Sequence, residues 1–232
     1  MKNIFYVVAS LAIFAQVSCQ KDSNQKVDLV KYKSLGQSIL LDMNTIGDQI
    51  RQSKETFSKP EVVLEEARKY YCEESEEFIS FQESFNLAIS KRSIRCNSLT
   101  SEQNQDLDDI QVNLNGSSSA QEFLLFLNSK FDEVLTSDWS LADKDFLLTY
   151  ITSYISGVEF MTNNLDILSP NNHNIRGWWA SWGRCAAGII GGAGLGALGG
   201  GAAGSVIPIV GTVGGMITGG ISGGLSGASA AC

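Results

Sequence analysis

The amino-acid sequence predicts an all-α protein, with a helical-bundle body and a C-terminal hairpin of two glycine-zipper helices. Apolar residues recur at the helical period before residue 169, and neither proline clusters nor alternating strand patterns compete with helices there. Composition then changes abruptly. Of the 23 glycines, 19 lie in residues 176–232, which hold two cations and no acid. The other 15 basic and all 25 acidic residues precede them, a net charge of −10 that argues against nucleic-acid binding.

The N-terminus has the pattern of a bacterial export signal. Lys2 precedes an apolar run from Ile4 to Ala15, which is too short for a membrane span. The following "QVSC" resembles a lipobox, which implies cleavage after residues 1–18 and lipidation of Cys19. Residues 19–26 would then be a tether, and the protein would be exported and lipid-anchored in the outer membrane or at the cell surface. An ordinary cleaved signal with a chance cysteine is the alternative.

Residues 27–168 are predicted to form an acidic helical domain. The first helix is expected from about Val27 to Phe57, and the second from Ser58, with Pro60 in its first turn, through Ile89. A shorter segment follows at residues 98–114. Capping boxes then open two more helices, one at Ser119 and Glu122 and one at residues 140–143 that ends near Leu168.

The body shows no sign of an enzyme. Its acidic cluster is expected to coat the solvent face of the second helix: Glu73, Glu74, Glu76 and Glu77. The single histidine, His173, lies in a polar linker, residues 169–175, and no C-x-x-C pair accompanies it. We therefore expect no catalytic residues, no metal site and no cofactor.

After the linker, three tryptophans lie between two arginines, an arrangement typical of the membrane interface. The residues are Arg176, Trp178, Trp179, Trp182 and Arg184. The alternative is a hydrophobic patch that packs back on the body.

Two uncharged runs follow, of 23 and 24 residues, on either side of a predicted hairpin turn at Pro208. As helices each would be about 35 Å long, sufficient for a bilayer core of about 30 Å. Each run has five glycines spaced four apart, the small-xxx-small pattern that brings helix backbones into contact in lipid. They are Gly188, Gly192, Gly196, Gly200 and Gly204, then Gly211, Gly215, Gly219, Gly223 and Gly227. The alternative is a flexible glycine linker, but linkers of that kind lack the apolar residues at helical spacing that these runs contain.

Lipidation of Cys19 would leave four cysteines, for which position suggests two local disulfides, Cys72 with Cys96 and Cys185 with Cys232. An antiparallel hairpin brings the second pair to one end. Three connectivities are possible.

The glycine runs resemble those of small bacteriocins and microcins, whose helices enter a target membrane. They also resemble the glycine-zipper domain of outer-membrane lipoproteins, which supports the envelope. The first resemblance implies a membrane-permeabilising toxin whose partner is the lipid bilayer, with self-association through the zippers and a helical carrier or immunity domain. The second implies a structural lipoprotein. A third reading makes the body a partner-binding module; no receptor is indicated.

Overall fold

The computed structural model describes residues 27–57, 59–89, 101–168, 185–186, 188–197 and 211–231. Every regular element within them is an α-helix, which confirms the predicted fold class. The helices are α1 (Leu29–Ser53), α2 (Pro60–Tyr71), α3 (Glu76–Ile89), α4 (Ser101–Gly116), α5 (Ala120–Thr136), α6 (Leu141–Asn163), α7 (Leu165–Leu168), α8 (residues 185–186 and 188–197) and α9 (Gly211–Ala231). We call α1–α7 the body, and α8 with α9 the hairpin.

The first helix is shorter than predicted because both of its ends are capped. The Asp28 carboxylate accepts a hydrogen bond of 3.0 Å from the backbone N–H of Val30 and a weaker one from Lys31. An aspartate at this position satisfies amide groups that the helix leaves free. At the other end Lys54 takes a left-handed conformation, with φ of 59°, which stops the helix before Phe57.

The prediction of one helix from Ser58 to Ile89 is wrong, because two helices occupy that range. The break falls at Cys72–Ser75, where Cys72 has a left-handed φ of 66°. The first of the two helices begins after Lys59, which makes no side-chain capping bond. The apolar spacing continues across the break, so periodicity alone conceals it. The predicted glutamate cluster is exposed, as expected, and lies at the break and in the first turn of α3.

Both predicted serine caps after residue 115 are confirmed. The Ser119 hydroxyl accepts from the backbone N–H of Glu122 at 3.1 Å, and the Ser140 hydroxyl accepts from that of Asp143 at 3.2 Å. The last body helix ends at Asn163 rather than near Leu168. Its cap, Asn164, bonds back to Phe160 and Met161, and α7 then forms as a separate turn.

The hairpin and the body share one hydrophobic core. In the body, α6 packs against α1 and α5, and it is buried on every side from Leu147 to Val158. The second hairpin helix, α9, packs mainly against α3 and then against α1. Fully buried Ile39 and Met43 of α1 belong to the same cluster as Ile221 and Leu225 of α9. The glycine-rich end of the chain therefore completes the body's core.

A buried ion pair attaches α4 to α5. Lys130 Nζ lies 2.5 Å from Asp106 Oδ1, and the two side chains are only 9% and 8% exposed. Lys130 also reaches Glu133 at 3.1 Å, but that carboxylate is largely in water. The pair adds a polar link to the apolar contacts that the buried Ile110 and Leu114 of α4 make with the core.

Replacing Asp106 by alanine should lower the free energy of unfolding by about 3 kcal/mol, because it leaves the Lys130 ammonium buried without its closest partner. Replacing the exposed neighbour Asp108 by alanine should change it by less than about 0.5 kcal/mol. Urea unfolding of both variants measures the difference. Equal effects would show that the pair does not hold α4.

Candidate functional site: a glycine hairpin enclosed by the helical body

The two hairpin helices run antiparallel and touch through their backbones. Moving four residues forward along α8 brings the contact to a residue four positions earlier in α9. Three glycine pairs face each other in this way: Gly188 with Gly227, Gly192 with Gly223, and Gly196 with Gly219. The predicted glycine zipper is therefore present in the part of the hairpin that the structure describes.

Glycine is required at these positions because no side chain fits between the helices. A Cβ atom on Gly192 or Gly196 would overlap a carbonyl oxygen of α9, that of Gly223 or Gly219. One on Gly188 would lie 2.6 Å from the Cβ of Ala231. Such close backbone approach is what small-xxx-small spacing permits.

The structure describes only some of the other predicted hairpin residues. Gly211 and Gly215 lie in α9, whereas Gly200, Gly204 and the turn residue Pro208 lie outside the described residues.

Body helices cover part of the remaining surface of the hairpin, while Leu195 of α8 is 46% exposed. A Cβ on Gly220 would lie 2.8 Å from Ile39 Cδ1, and one on Gly224 would lie 2.6 Å from Met43 Cε, both on α1. On the α6 side, a Cβ on Gly157 would lie 3.1 Å from the Cα of Ile190 in α8. The glycines of α9 thus form two contact faces, one toward α8 and one toward α1.

Two tyrosines of α6 form part of this cover. Tyr150 and Tyr154 share a 2.6 Å hydrogen bond, and their rings fill the space that a side chain at Gly194 would occupy. Burial raises the pKa of Tyr154, so its hydroxyl stays protonated. The pair gives α8 an uncharged, well-packed surface.

The hydroxyl groups of α9 are largely satisfied within their own helix. Ser222 and Ser226 donate to the carbonyls of Gly219 and Gly223, at 3.1 and 2.9 Å. Thr218 bonds to the carbonyl of Gly215 at 3.3 Å and also meets Ser80 of α3 at 3.2 Å. Ser222 and Ser226 therefore need no partner outside α9, whereas Ser229 Oγ is buried without a hydrogen bond among the described residues.

The prediction that the two runs are membrane-spanning helices is wrong for the part of the chain that the structure describes. None of its helices combines the length and the mean hydropathy that a bilayer crossing needs. Glycine, serine and threonine dilute the apolar residues of α9.

The cysteine pairings need correction too. No disulfide joins two of the residues described here. Cys72 is a free and exposed thiol, so the predicted pairing with Cys96 is wrong. Cys185 is disulfide-bonded, and its partner lies outside the described residues. Its pairing with Cys232 stays a prediction.

Several other predicted features fall outside the residues that the structure describes. They are the signal peptide with Cys19 and the tether, Cys96, the linker with His173, the interfacial group Arg176, Trp178, Trp179, Trp182 and Arg184, and Cys232.

A polar cluster fixes the point where the chain leaves the body toward the hairpin. Arg51 of α1 forms two hydrogen bonds with Asp166 of α7, at 2.8 and 3.0 Å, and a third with Asn164 at 3.2 Å. Asn164 in turn donates to Asn44 at 2.8 Å. These bonds to Arg51 hold the pKa of Asp166 below its ordinary value. The last described turn before residue 169 is therefore tied to α1.

Sequence reasoning missed the body residues that receive the hairpin. Glycine is rare in the body, and Gly157 is the signal that was available: it lies mid-helix, where glycine is unfavourable unless another backbone approaches. No comparable signal marks Ile39 or Met43, whose spacing is that of any core residue.

Comparison with protein-family models, with curated proteins and with solved structures finds no match to this chain.

Replacing Gly192 by alanine should destabilise the protein by about 2–3 kcal/mol, because the new methyl group forces the two helices apart. The matched control is the adjacent Gly191, whose Cβ would meet only the Tyr154 hydroxyl at an ordinary 3.7 Å. Alanine there should be neutral or stabilising by up to about 1 kcal/mol. Thermal unfolding distinguishes the two, and similar effects would contradict the backbone contact.

Replacing Arg51 by glutamine should raise the pKa of Asp166 toward the ordinary aspartate value of about 3.9. Since the native-state pKa is lowered, the stabilisation by this pair is complete above that value and is lost as pH falls through the native-state pKa. The variant should therefore be less stable than the wild type at neutral pH, and the difference should become smaller in strong acid, where only the bond to Asn164 still separates them. NMR titration of Asp166, with exposed Lys54→Gln as control, tests this; unchanged titration would refute it.

Proposed function

We propose that this chain is an exported protein that carries a membrane-permeabilising glycine hairpin in a covered form. The helical body is the carrier: it encloses the hairpin and keeps it compatible with water until the hairpin reaches a target bilayer. The observation that carries the proposal is the packing of an uncharged hairpin, joined through its backbones, against the helical body.

The cover is needed because α9 is a poor helix by itself. Eight of its 21 residues are glycine, and each lowers helix stability by about 1 kcal/mol relative to alanine. Neighbouring helices must supply the missing stabilisation. Body residues do so in this structure, and lipid with α8 can do so in a membrane, where close backbone packing drives association.

The charge distribution supports the same division of labour. All acidic residues precede the hairpin in the chain, and the described hairpin contains no charged residue. A strongly acidic carrier promotes solubility, whereas an uncharged hairpin avoids the large penalty of bringing a charge into lipid. Lipidation at Cys19 and interfacial binding by the tryptophan group belong to the same proposal, as the means of reaching a membrane.

Dye release from anionic vesicles tests the proposal. A peptide of residues 176–232 should release dye at micromolar concentration. The intact chain from residue 20 should be at least about tenfold slower, because only its minor open state exposes the hairpin. The matched control peptide carries Gly192→Leu and Gly223→Leu, which prevent backbone contact, and it should release little.

Two results would contradict the proposal. If the wild-type peptide releases no dye, the hairpin has no membrane-permeabilising activity. If the intact chain releases dye as fast as the peptide, the body does not cover the hairpin. If deletion of the protein weakened only the producing cell's own envelope, the structural-lipoprotein reading would replace the toxin reading.

A further inference from the structure

We propose that the intact chain meets a phospholipid bilayer through the interface between α3 and α9, which opens when α3 moves off the hairpin. This inference rests on the proposed function, since it names the surface by which the covered hairpin reaches lipid. It makes α3 a detachable cover and leaves the rest of the body in place.

The packing of α3 differs from that of the other body helices. Its main packing partner is α9, and its contact with α2 is much smaller. By contrast, α6 packs extensively on both α1 and α5. Removing α3 would therefore uncover α9 without separating the helices that form the centre of the body.

Few polar bonds hold α3. Glu76, Glu77 and Glu83 form no salt bridge with any residue that the structure describes. The hydroxyl groups of Ser80 and Thr218 are 3.2 Å apart and form a polar contact between α3 and the hairpin. The neighbouring helices are tied more firmly: α1 binds α6 through Lys31 and Asp145.

Other polar bonds fix α2 beside the point where α3 would move. Tyr70 and Tyr71 donate hydrogen bonds to the Asp42 carboxylate of α1, at 2.8 and 3.0 Å. Between α2 and α3 lies only the short exposed turn that begins at Cys72. Because polar bonds tie α2 to α1, whereas α3 is held mainly by apolar packing on α9, this turn is the natural hinge.

The surface that opening would expose is suited to lipid. The buried face of α3 carries three phenylalanines, Phe78, Phe81 and Phe85, and the rings of the last two stack with centroids 5.6 Å apart. Its other face carries the exposed glutamates. A helix of this kind can lie at a bilayer surface with its aromatic face in the lipid and its charges in water. Water would not offset the loss of these apolar contacts, whereas a bilayer would.

A reversible clamp tests whether α3 moves. In a Cys72→Ser background, Ser80→Cys and Thr218→Cys place two thiols where the hydroxyls are 3.2 Å apart, within reach of a disulfide. The matched clamp joins α1 to α6 through Gly36→Cys and Thr152→Cys, since a Cβ on Gly36 lies 2.9 Å from Thr152 Cγ2. Both clamped chains and the wild type are incubated with phosphatidylethanolamine–phosphatidylglycerol vesicles, with and without reductant.

We expect oxidation of the α3–α9 clamp to lower dye release by at least about tenfold, and reduction to restore it. The oxidised α1–α6 clamp should release dye at the wild-type rate. The wild type with reductant controls for the native disulfide at Cys185.

Three results would overturn the inference. An oxidised α3–α9 clamp that still releases dye at the wild-type rate would show that α3 does not need to move. Loss of release in both clamps would show that the whole body opens. An intact wild-type chain that releases nothing would show that it does not meet the bilayer through this surface. In each case, release by the peptide of residues 176–232 decides separately whether the proposed function stands.

Discussion

The backbone contact between α8 and α9 is the constraint on which the rest of this structure depends. At Gly192 and Gly223 the two helices are so close that even a methyl group would overlap a carbonyl oxygen. Such a contact requires many glycines, and many glycines make a helix unstable in water. The hairpin therefore needs neighbours that fill its other faces. Ile39 and Met43 of α1 and Gly157 of α6 provide them, so the body and the hairpin stabilise each other through one core.

The proposed transfer of the hairpin to a membrane relies on the kind of contacts that hold it. Its described residues carry no charge, and Ser222 and Ser226 hydrogen bond within their own helix. The contacts that hold it are mostly apolar, and apolar contacts can be exchanged for lipid more easily than ion pairs can. The polar bonds that fix the body lie elsewhere, at Lys130 with Asp106 and at Arg51 with Asp166. The described hairpin is thus held mainly by apolar packing, whereas ion pairs join body helices to one another.

The corrections to the sequence-based expectations have physical reasons. The helical spacing of apolar residues continues through Cys72, and this spacing does not reveal that Cys72 has a left-handed backbone conformation. The sequence therefore predicts one helix where two form. An uncharged run long enough for a bilayer predicts a membrane span, yet glycine, serine and threonine keep the mean hydropathy of the described helices too low for one. The pairing of Cys72 with Cys96 rested on position in the chain, and position carries no information about the distance between two thiols.

The helical class, the serine caps at Ser119 and Ser140, and the four-residue spacing of the hairpin glycines could be predicted from the sequence. These features depend on local preferences and on the spacing of residues along one helix. The packing of the hairpin against the body, with Gly220 against Ile39 and Gly224 against Met43, is seen only in the three-dimensional structure. Contacts between residues so far apart in the chain arise from the fit of whole surfaces, and a core residue has the same spacing whether it faces another body helix or the hairpin.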